Sequence, residues 1–397
     1  MTEGQRARGT PGTPRVLRAM NDRAALDLLV SHGPLTRTRI GELTGLSKPT
    51  ASHLLARLAA AGLVRATGNV TGRPGPGAQL YGLNPVAARV AALAVGRRGI
   101  TAAVADLTGR LLAEERATAG AADGEAPRLT AQPAARALDG ALAAAGLTRD
   151  QLHGAVLGTP GAPDPRTGRL RHAPHLPGRQ SHVLQEELTG LLGVPTTVEN
   201  DVNLAAVAER YDGVARGVDD FVLVWIDEGV GAALVPGGRP LRGATGGAGE
   251  IGHLPLPGAP LSRDGDRGTA RPDAGGGFQS LVGSASVRAL GREYGGPGVR
   301  TVAGALAHEA VRAEVARRLT TGLAAVVAVV DPGLVVLSGE VPQAGGEALR
   351  ALVEADFTGL ALPRPALRLS RLGGDPVLLG ALRTALHRAR EAVFRTG

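Results

Sequence analysis

Residues 43–58 read LTGLSKPTASHLLARL. Gly45-Leu46 predicts a tight turn between two helices. Ser47 is placed to cap the second helix, and Pro49 sits in its first turn, where a missing N–H costs little. Ala51, Leu54, Leu55 and Leu58 fall on one stripe of that helix, and Lys48, Thr50, His53 and Arg57 fall away from it. A short helix, a turn of about four residues and a second helix with a polar outer face make a helix-turn-helix. The start of the second helix is expected to enter the major groove. Lys48, Thr50 and Ser52 are therefore predicted to touch bases or phosphates, and His53 and Arg57, further along, to touch phosphates.

Working upstream, Thr36 reads as the N-cap of the first helix of the pair, which carries Ile40 and Leu43 inward. Before it, Leu17, Met20, Ala24 and Leu28 recur at helical spacing, with Gly33 as the stop. Residues 1–14 are Gly, Pro, Thr and Arg without periodicity and are expected to be a mobile tail. Downstream, Leu63-Val64-Arg65 and Leu80-Tyr81-Gly82-Leu83 read as two strands around a Gly/Pro-rich loop. That is a wing with Arg73 at its tip, suited to a narrow minor groove. The winged helix-turn-helix is thus predicted over 15–83, with a linker at 84–88.

The charge supports this division. The chain carries a net +8. Residues 1–83 hold eleven basic and four acidic residues, and the remaining 314 hold 33 against 32. A small basic module beside a nearly neutral body is the footprint of a DNA-binding domain on a body that does not bind DNA.

No cysteine is present, which excludes disulfides, thiolate metal sites and a cysteine nucleophile. The first residues contain no apolar run of the secretory kind, and the most apolar stretch, 323–337, is broken by Asp331-Pro332 and too short to span a bilayer. A soluble cytoplasmic protein with no membrane partner is expected.

From Val90 the pattern turns to α/β. Residues 90–95, 100–106 and 111–117 read as strands, 132–146 as a helix and 155–157 as another strand; a second set starts at 221–226. Two such units in series predict two lobes with a ligand cleft between them.

Three segments in the second domain carry a resemblance. Glu199-Asn200-Asp201-Val202-Asn203-Leu204-Ala205-Ala206 is one. Gly243-Ala244 with Gly249-Glu250-Ile251-Gly252-His253 is the second. Thr159-Pro160-Gly161 with Ala173-Pro174-His175-Leu176-Pro177-Gly178 is the third. Together, in this order, they resemble the signatures of the ROK family of repressors and sugar kinases, and Leu43–Thr50 resembles the family's repressors. The turns at Asp331-Pro332, Ser338-Gly339 and Leu372-Gly373 also fall where the family has similar ones. The resemblance implies a two-lobed ribonuclease H-like domain (the actin-like ATPase or sugar-kinase fold) over 89–397. It also implies that Asn200, Asp201, Glu250 and His253 line a sugar pocket. A sugar presents many hydroxyls, and carboxylates with amides can satisfy several at once. From the residues alone, Asp201 reads equally as a carboxylate at a helix N-terminus and Glu250 as a solvated loop carboxylate.

The chain departs from the family pattern in three places. The kinases' Asp-x-Gly-Gly-Thr phosphate turn is replaced by Ala94-Val95-Gly96-Arg97-Arg98. Their Gly-Thr-Gly phosphate turn is replaced by Asp227-Glu228-Gly229, and carboxylates beside a triphosphate repel it by on the order of a kcal/mol each. The family's zinc knuckle, a His with three Cys, has no cysteine here; Asp264, Asp266 and Asp273 follow His253 in a Gly/Arg-rich loop. Gln279 stands where a sugar-contacting Glu is usual, and His175 where an Asn is.

The expectation is a non-catalytic regulator with no cofactor and no metal, bound to double-stranded DNA at a palindromic operator as a homodimer or homotetramer, and controlled by a sugar. Two readings stay open beside it: an active sugar kinase with a DNA-binding domain, and a DNA-binding regulator whose pocket is dead or takes a non-sugar ligand.

Overall fold

Three helices and a small sheet form the first domain: α1 (Pro14–His32), β1 (Leu35–Thr36), α2 (Arg37–Thr44), α3 (Lys48–Ala60), β2 (Val64–Asn69) and β3 (Gln79–Leu83). The computed structural model describes residues 14–70, 77–96, 99–117, 131–171, 184–261, 276–360 and 364–395. The expected tail, the wing tip with Arg73, Arg97-Arg98 and the segment 173–178 lie outside the described residues.

The helix caps follow the sequence reading. Thr36 Oγ1 accepts from Arg39 N at 3.2 Å, and Gly45 ends α2 at φ 72°, a left-handed conformation that glycine adopts without a Cβ penalty. The stripe Ala51, Leu54, Leu55 and Leu58 is buried as predicted. Of the two other stripes, that of α1 is not buried and that of α2 is buried only at Ile40. Leu17 and Met20 are 54% and 62% exposed, and α1 instead buries Asp22, Ala25, Leu26 and Leu29. Both faces of α1 carry apolar residues, and the winning face is the one that meets α3. The carboxylate in that face, Asp22, is paired there with Arg57. Leu43 is also exposed, because α2 seats only Ile40 and Gly41. The wing strands pair antiparallel, with β1 adding a third strand to β3.

The second domain has two sheets. In the smaller lobe β4 (Arg89–Gly96), β5 (Gly99–Asp106), β6 (Leu111–Ala117), β7 (Gly154–Thr159) and β10 (Thr196–Asn200) lie in the order β10-β7-β4-β5-β6. Helix α4 (Ala131–Ala145), the two-residue strands β8 (Ala162–Pro163) and β9 (Leu170–Arg171), α5 (Leu184–Leu192) and α6 (Asp201–Asp212) interleave with them. The larger lobe holds β11 (Phe221–Ile226), β12 (Val230–Val235), β13 (Leu334–Ser338) and β14 (Ala366–Leu369) in the order β12-β11-β13-β14. Its helices are α7 (Gln279–Val282), α8 (Ser284–Gly295), α9 (Val302–Leu306), α10 (Glu309–Val330) and α11 (Glu340–Thr358). The last helix, α12 (Pro376–Arg395), returns to the smaller lobe.

Strands β4 and β5 are apolar on both faces because both are covered. Ala91, Leu93, Ile100, Ala102 and Val104 join the core with α4 and α5. The alternate residues Val90, Ala92, Ala94, Ala103 and Ala105 join a second core that contains α12 and also Leu26, Leu54, Leu58 and Leu83 of the first domain. The DNA-binding domain and the smaller lobe therefore share one hydrophobic core. The segment read as a linker, 84–88, is a single 3-10 turn with Ala88 fully buried; Leu107 N donates to Pro85 O at 3.3 Å.

Candidate functional site

The first turn of α3 faces outward with Lys48, Thr50 and His53 exposed. Ser47 Oγ accepts from Thr50 N at 3.4 Å and lies 2.8 Å from the Thr50 hydroxyl. Ser52 Oγ donates to Lys48 O at 2.9 Å and receives Arg37 Nη1 at 3.1 Å. Neither α2 nor α3 has an acidic residue in its first turn. Both helix N-termini thus present backbone donors and positive potential on one side, which suits phosphate. Arg37 is an addition to the sequence reading. Its signal was available: Arg at a helix N-terminus opposes the dipole, so an anion is the natural partner.

Arg57 is placed differently from the sequence expectation. Its Nε donates to Asp22 Oδ2 at 2.9 Å and its Nη2 to Asp22 Oδ1. Asp22 is 5% exposed, and a carboxylate that deep needs a paired cation. Arg57 thus also holds α3 on α1.

The cleft residues converge from four segments. Strand β7 ends at Thr159, and Gly161, at φ 95°, turns its carbonyl to receive Asn200 Nδ2 at 3.0 Å. Asn200 is the N-cap of α6: its Oδ1 accepts from Asn203 N at 3.0 Å, and its amide also reaches Asp201 Oδ1 at 3.2 Å. Most of its hydrogen-bonding capacity is spent on shaping the turn. Asp201 opens α6 and accepts from Val202 N at 2.8 Å.

The loop after β12 brings Glu250. Gly249, at φ 91°, gives its carbonyl to Ala232 N at 2.7 Å, which fixes the loop on the strand. Glu250 then precedes the 3-10 turn Ile251–His253. Gln279, first residue of α7, lies over the same turn: a Cβ added to Gly252 would fall 3.1 Å from Gln279 Oε1. Asn200, Asp201, Glu250 and Gln279 therefore stand on the segments that meet at the cleft, and His253, at its exposed edge, acts electrostatically on Glu250.

Glu199 is a residue that the sequence reading passed over. Its carboxylate is 6% exposed and accepts from Asn200 N at 3.0 Å, Asn203 Nδ2 at 3.1 Å and Arg242 Nε at 2.8 Å. Arg242 belongs to the loop that leads to Glu250, so this pair ties β10 to that loop.

Charge crowds the cleft. Burial pushes the Asp201 carboxyl from the ordinary 3.8 up to about 7; the Val202 N–H opposes this, and the charges of Glu250 and Asp227 add to it. Burial also raises Glu250, with His253 opposing. For Asp201 the native state holds a proton that the unfolded chain has lost, so stability falls as pH rises from about 4 to about 7 and levels off above. Asp201→Asn is expected to remove that slope. The melting temperature of the variant minus that of the parent should be near zero at pH 4 and positive at pH 8; a flat difference would refute the assignment.

Where a phosphate turn would stand, Asp227 Oδ1 accepts from Glu228 N at 2.9 Å, and Glu228 Oε1 accepts from Arg288 Nη2 at 3.0 Å. Ser284 N donates to Asp227 O at 2.8 Å, and its hydroxyl donates to Glu340 Oε2 at 2.7 Å. Three carboxylates, two of them with side-chain partners on α8, occupy this corner. Zinc in the family's knuckle does not fit this chain, because no thiolate is available. Asp264, Asp266 and Asp273 lie outside the described residues. Among the described residues no helix is long and apolar enough to cross a membrane.

Comparison with known proteins finds two families in the chain. The MarR family model matches residues 20–73 and the ROK family model residues 90–387. A glucokinase of Halalkalibacterium halodurans is 30% identical over 266 residues, covering 62% of this chain and 80% of the relative. The DNA-binding transcriptional dual regulator NagC of Escherichia coli is 27% identical over 259 residues, covering 64% of this chain and 61% of the regulator. Among solved structures, the ROK hexokinase of Thermus thermophilus is 32% identical with a TM-score of 0.60, covering 76% of this chain and 99% of that one. A ROK family transcriptional regulator, described as a homolog of the E. coli MLC protein, has a TM-score of 0.72 at 21% identity, covering 96% of this chain and all of that one.

Proposed function

This chain belongs to the ROK family, and on that premise we propose that it is a DNA-binding transcriptional regulator, a repressor of carbohydrate-related genes, whose kinase-like domain binds a sugar without phosphorylating it. The observation that carries the reading is the combination of a winged helix-turn-helix with a phosphate corner filled by Asp227, Glu228 and Glu340. Those carboxylates oppose a triphosphate. Asp201 then serves as a hydroxyl acceptor, and Asn200, Glu250, His253 and Gln279 complete the pocket. Likeness to NagC and to the MLC homolog supports the regulatory role. Sugar and operator affect each other if each binds a different arrangement of the lobes more tightly. A palindromic operator and a homodimer or homotetramer go with this reading.

The likeness to a glucokinase and to a hexokinase favours one rival, an active sugar kinase carrying a DNA-binding domain. A coupled assay for ADP release across a panel of hexoses separates the two. No turnover above background is expected; turnover with any hexose would replace this reading with the rival.

On the DNA side, Lys48→Ala is expected to weaken operator binding by about 1–3 kcal/mol if Lys48 reads a base, or to lower the salt slope by about one if it holds a phosphate. Arg73→Ala is expected to act alike from the wing. Titrations by fluorescence anisotropy at several salt concentrations distinguish these outcomes, and wild-type affinity in both variants would show that the docking is wrong.

A further inference from the structure

Asp22 and Arg23 are neighbours on α1, yet they point to different helices. Asp22 holds Arg57 of the recognition helix α3. Arg23 donates to Glu391 of α12, lies 5.6 Å from the centre of the Phe394 ring, and is steadied within α1 by Asp27 at 2.9 Å. The bond to Glu391 holds the guanidinium above its usual range and the Glu391 carboxyl below its own. One turn of α1 is thus fastened to the DNA-reading helix on one side and to the C-terminal helix on the other.

The other end of α12 is fastened to the cleft. At Gly380 the helix backbone touches α6 so closely that a Cβ would overlap the Leu204 carbonyl oxygen. Beside it, a Cβ on Gly158 of β7 would overlap Val377 of α12 and Leu204 of α6. Helix α6 begins at Asp201, and β7 runs into the Gly161 carbonyl that Asn200 grips. Contacts without slack make packed elements shift together rather than deform. The contacts thus form one continuous chain from the Asn200-Asp201 turn to α12, along that helix to Glu391, and through Arg23 and Asp22 to Arg57.

We propose that Asp22 and Arg23 are positioning residues that link the ligand cleft to the recognition helix by way of α12. The inference deepens the regulatory reading and rests on it. Neither residue touches DNA or sugar in this account, and their effect is exerted through Arg57 and Glu391.

Linkage is reciprocal, so operator DNA itself can serve as the probe. Hydrogen exchange of the full chain is followed over the α6 amides, with and without a DNA fragment from upstream of its own gene. In the parent, the operator is expected to change α6 exchange by on the order of fivefold or more, the low end of typical coupling. In Arg23→Gln and in Glu391→Gln that change is expected to fall within about twofold, and the exchanged pair Arg23→Glu with Glu391→Arg is expected to restore it. Rescue by the reversed pair assigns the effect to the contact between positions 23 and 391, and thermal midpoints of the single variants equal to the parent's separate loss of transmission from loss of structure. An α6 response equal to the parent's in both single variants, or no response in the parent, overturns the proposal. Calorimetry with glucose and with N-acetylglucosamine keeps the two levels apart. Heats retained in a variant that lost its exchange response assign the loss to transmission, whereas absence of heat in the parent counts against the sugar reading itself.

Discussion

Glu250→Ala is expected to weaken sugar binding by roughly 10- to 100-fold, the effect of losing one or more hydrogen bonds to a charged acceptor at about 1.5–3 kcal/mol each. The size follows from the surroundings of the carboxylate. Glu250 is held at the start of a 3-10 turn whose backbone is tied to β12 through Gly249, so its carboxylate is carried on a fixed loop. Glu250 is already partly desolvated by burial, which makes each hydroxyl bond it accepts count for more. Glu250→Gln should keep part of the affinity, because an amide oxygen still accepts but without charge assistance. Calorimetric titration of the two variants with the effector sugar checks the order; equal affinities for parent and alanine variant would remove Glu250 from the pocket.

The second large effect lies at Gly380. By helix propensity alone, Gly→Ala inside α12 should stabilise by about 0.5–1 kcal/mol. Packing predicts the opposite sign. The added Cβ meets the Leu204 backbone oxygen, which cannot turn aside as a side chain would, so α12 must move off α6. Overpacking of that kind costs about 1–3 kcal/mol or more, which outweighs the propensity gain. Gly380→Ala should therefore lower the thermal midpoint, measured by calorimetry in the same buffer. A midpoint equal to or above the parent's would mean that the α6–α12 contact is looser than described, and would also weaken the proposed path from the cleft to Arg23.

How much of this was legible beforehand depended on whether a residue's partner was local. The α3 stripe and the Ser47 and Thr36 caps were readable because helix periodicity and capping act within a few residues. Strands β4 and β5 were readable as apolar runs. The buried face of α1 was not, since two apolar stripes compete on it and the choice is made by α3 and α12, distant in sequence. The pairing of Arg57 with Asp22 was not readable either, because its partner lies 35 residues earlier and gives no local sign. Glu199 and Arg242 escaped notice for the same reason, being 43 residues apart. The segments carrying Asn200, Asp201 and Glu250 were recognisable from family resemblance. That Asn200 spends its side chain on Gly161 and on capping α6 needed the backbone course of both segments.

The shared core of the DNA-binding domain and the smaller lobe is the feature least visible in sequence. In the sequence, 84–88 reads as a linker between two domains. Leu26, Leu54 and Leu83 instead pack in one cluster with Val90, Ala92 and Phe394. The connection passes through residues that each look like the core of a separate domain.

The central claim is that sugar in the cleft changes the grip on DNA. Its most direct test is fluorescence anisotropy of the full chain on DNA from upstream of its own gene, at fixed salt, across free and phosphorylated sugars. The account predicts specific binding that one sugar weakens by about 5- to 150-fold, the usual range of coupling between two sites. Tight binding that no sugar alters, or no specific binding at all, would contradict it.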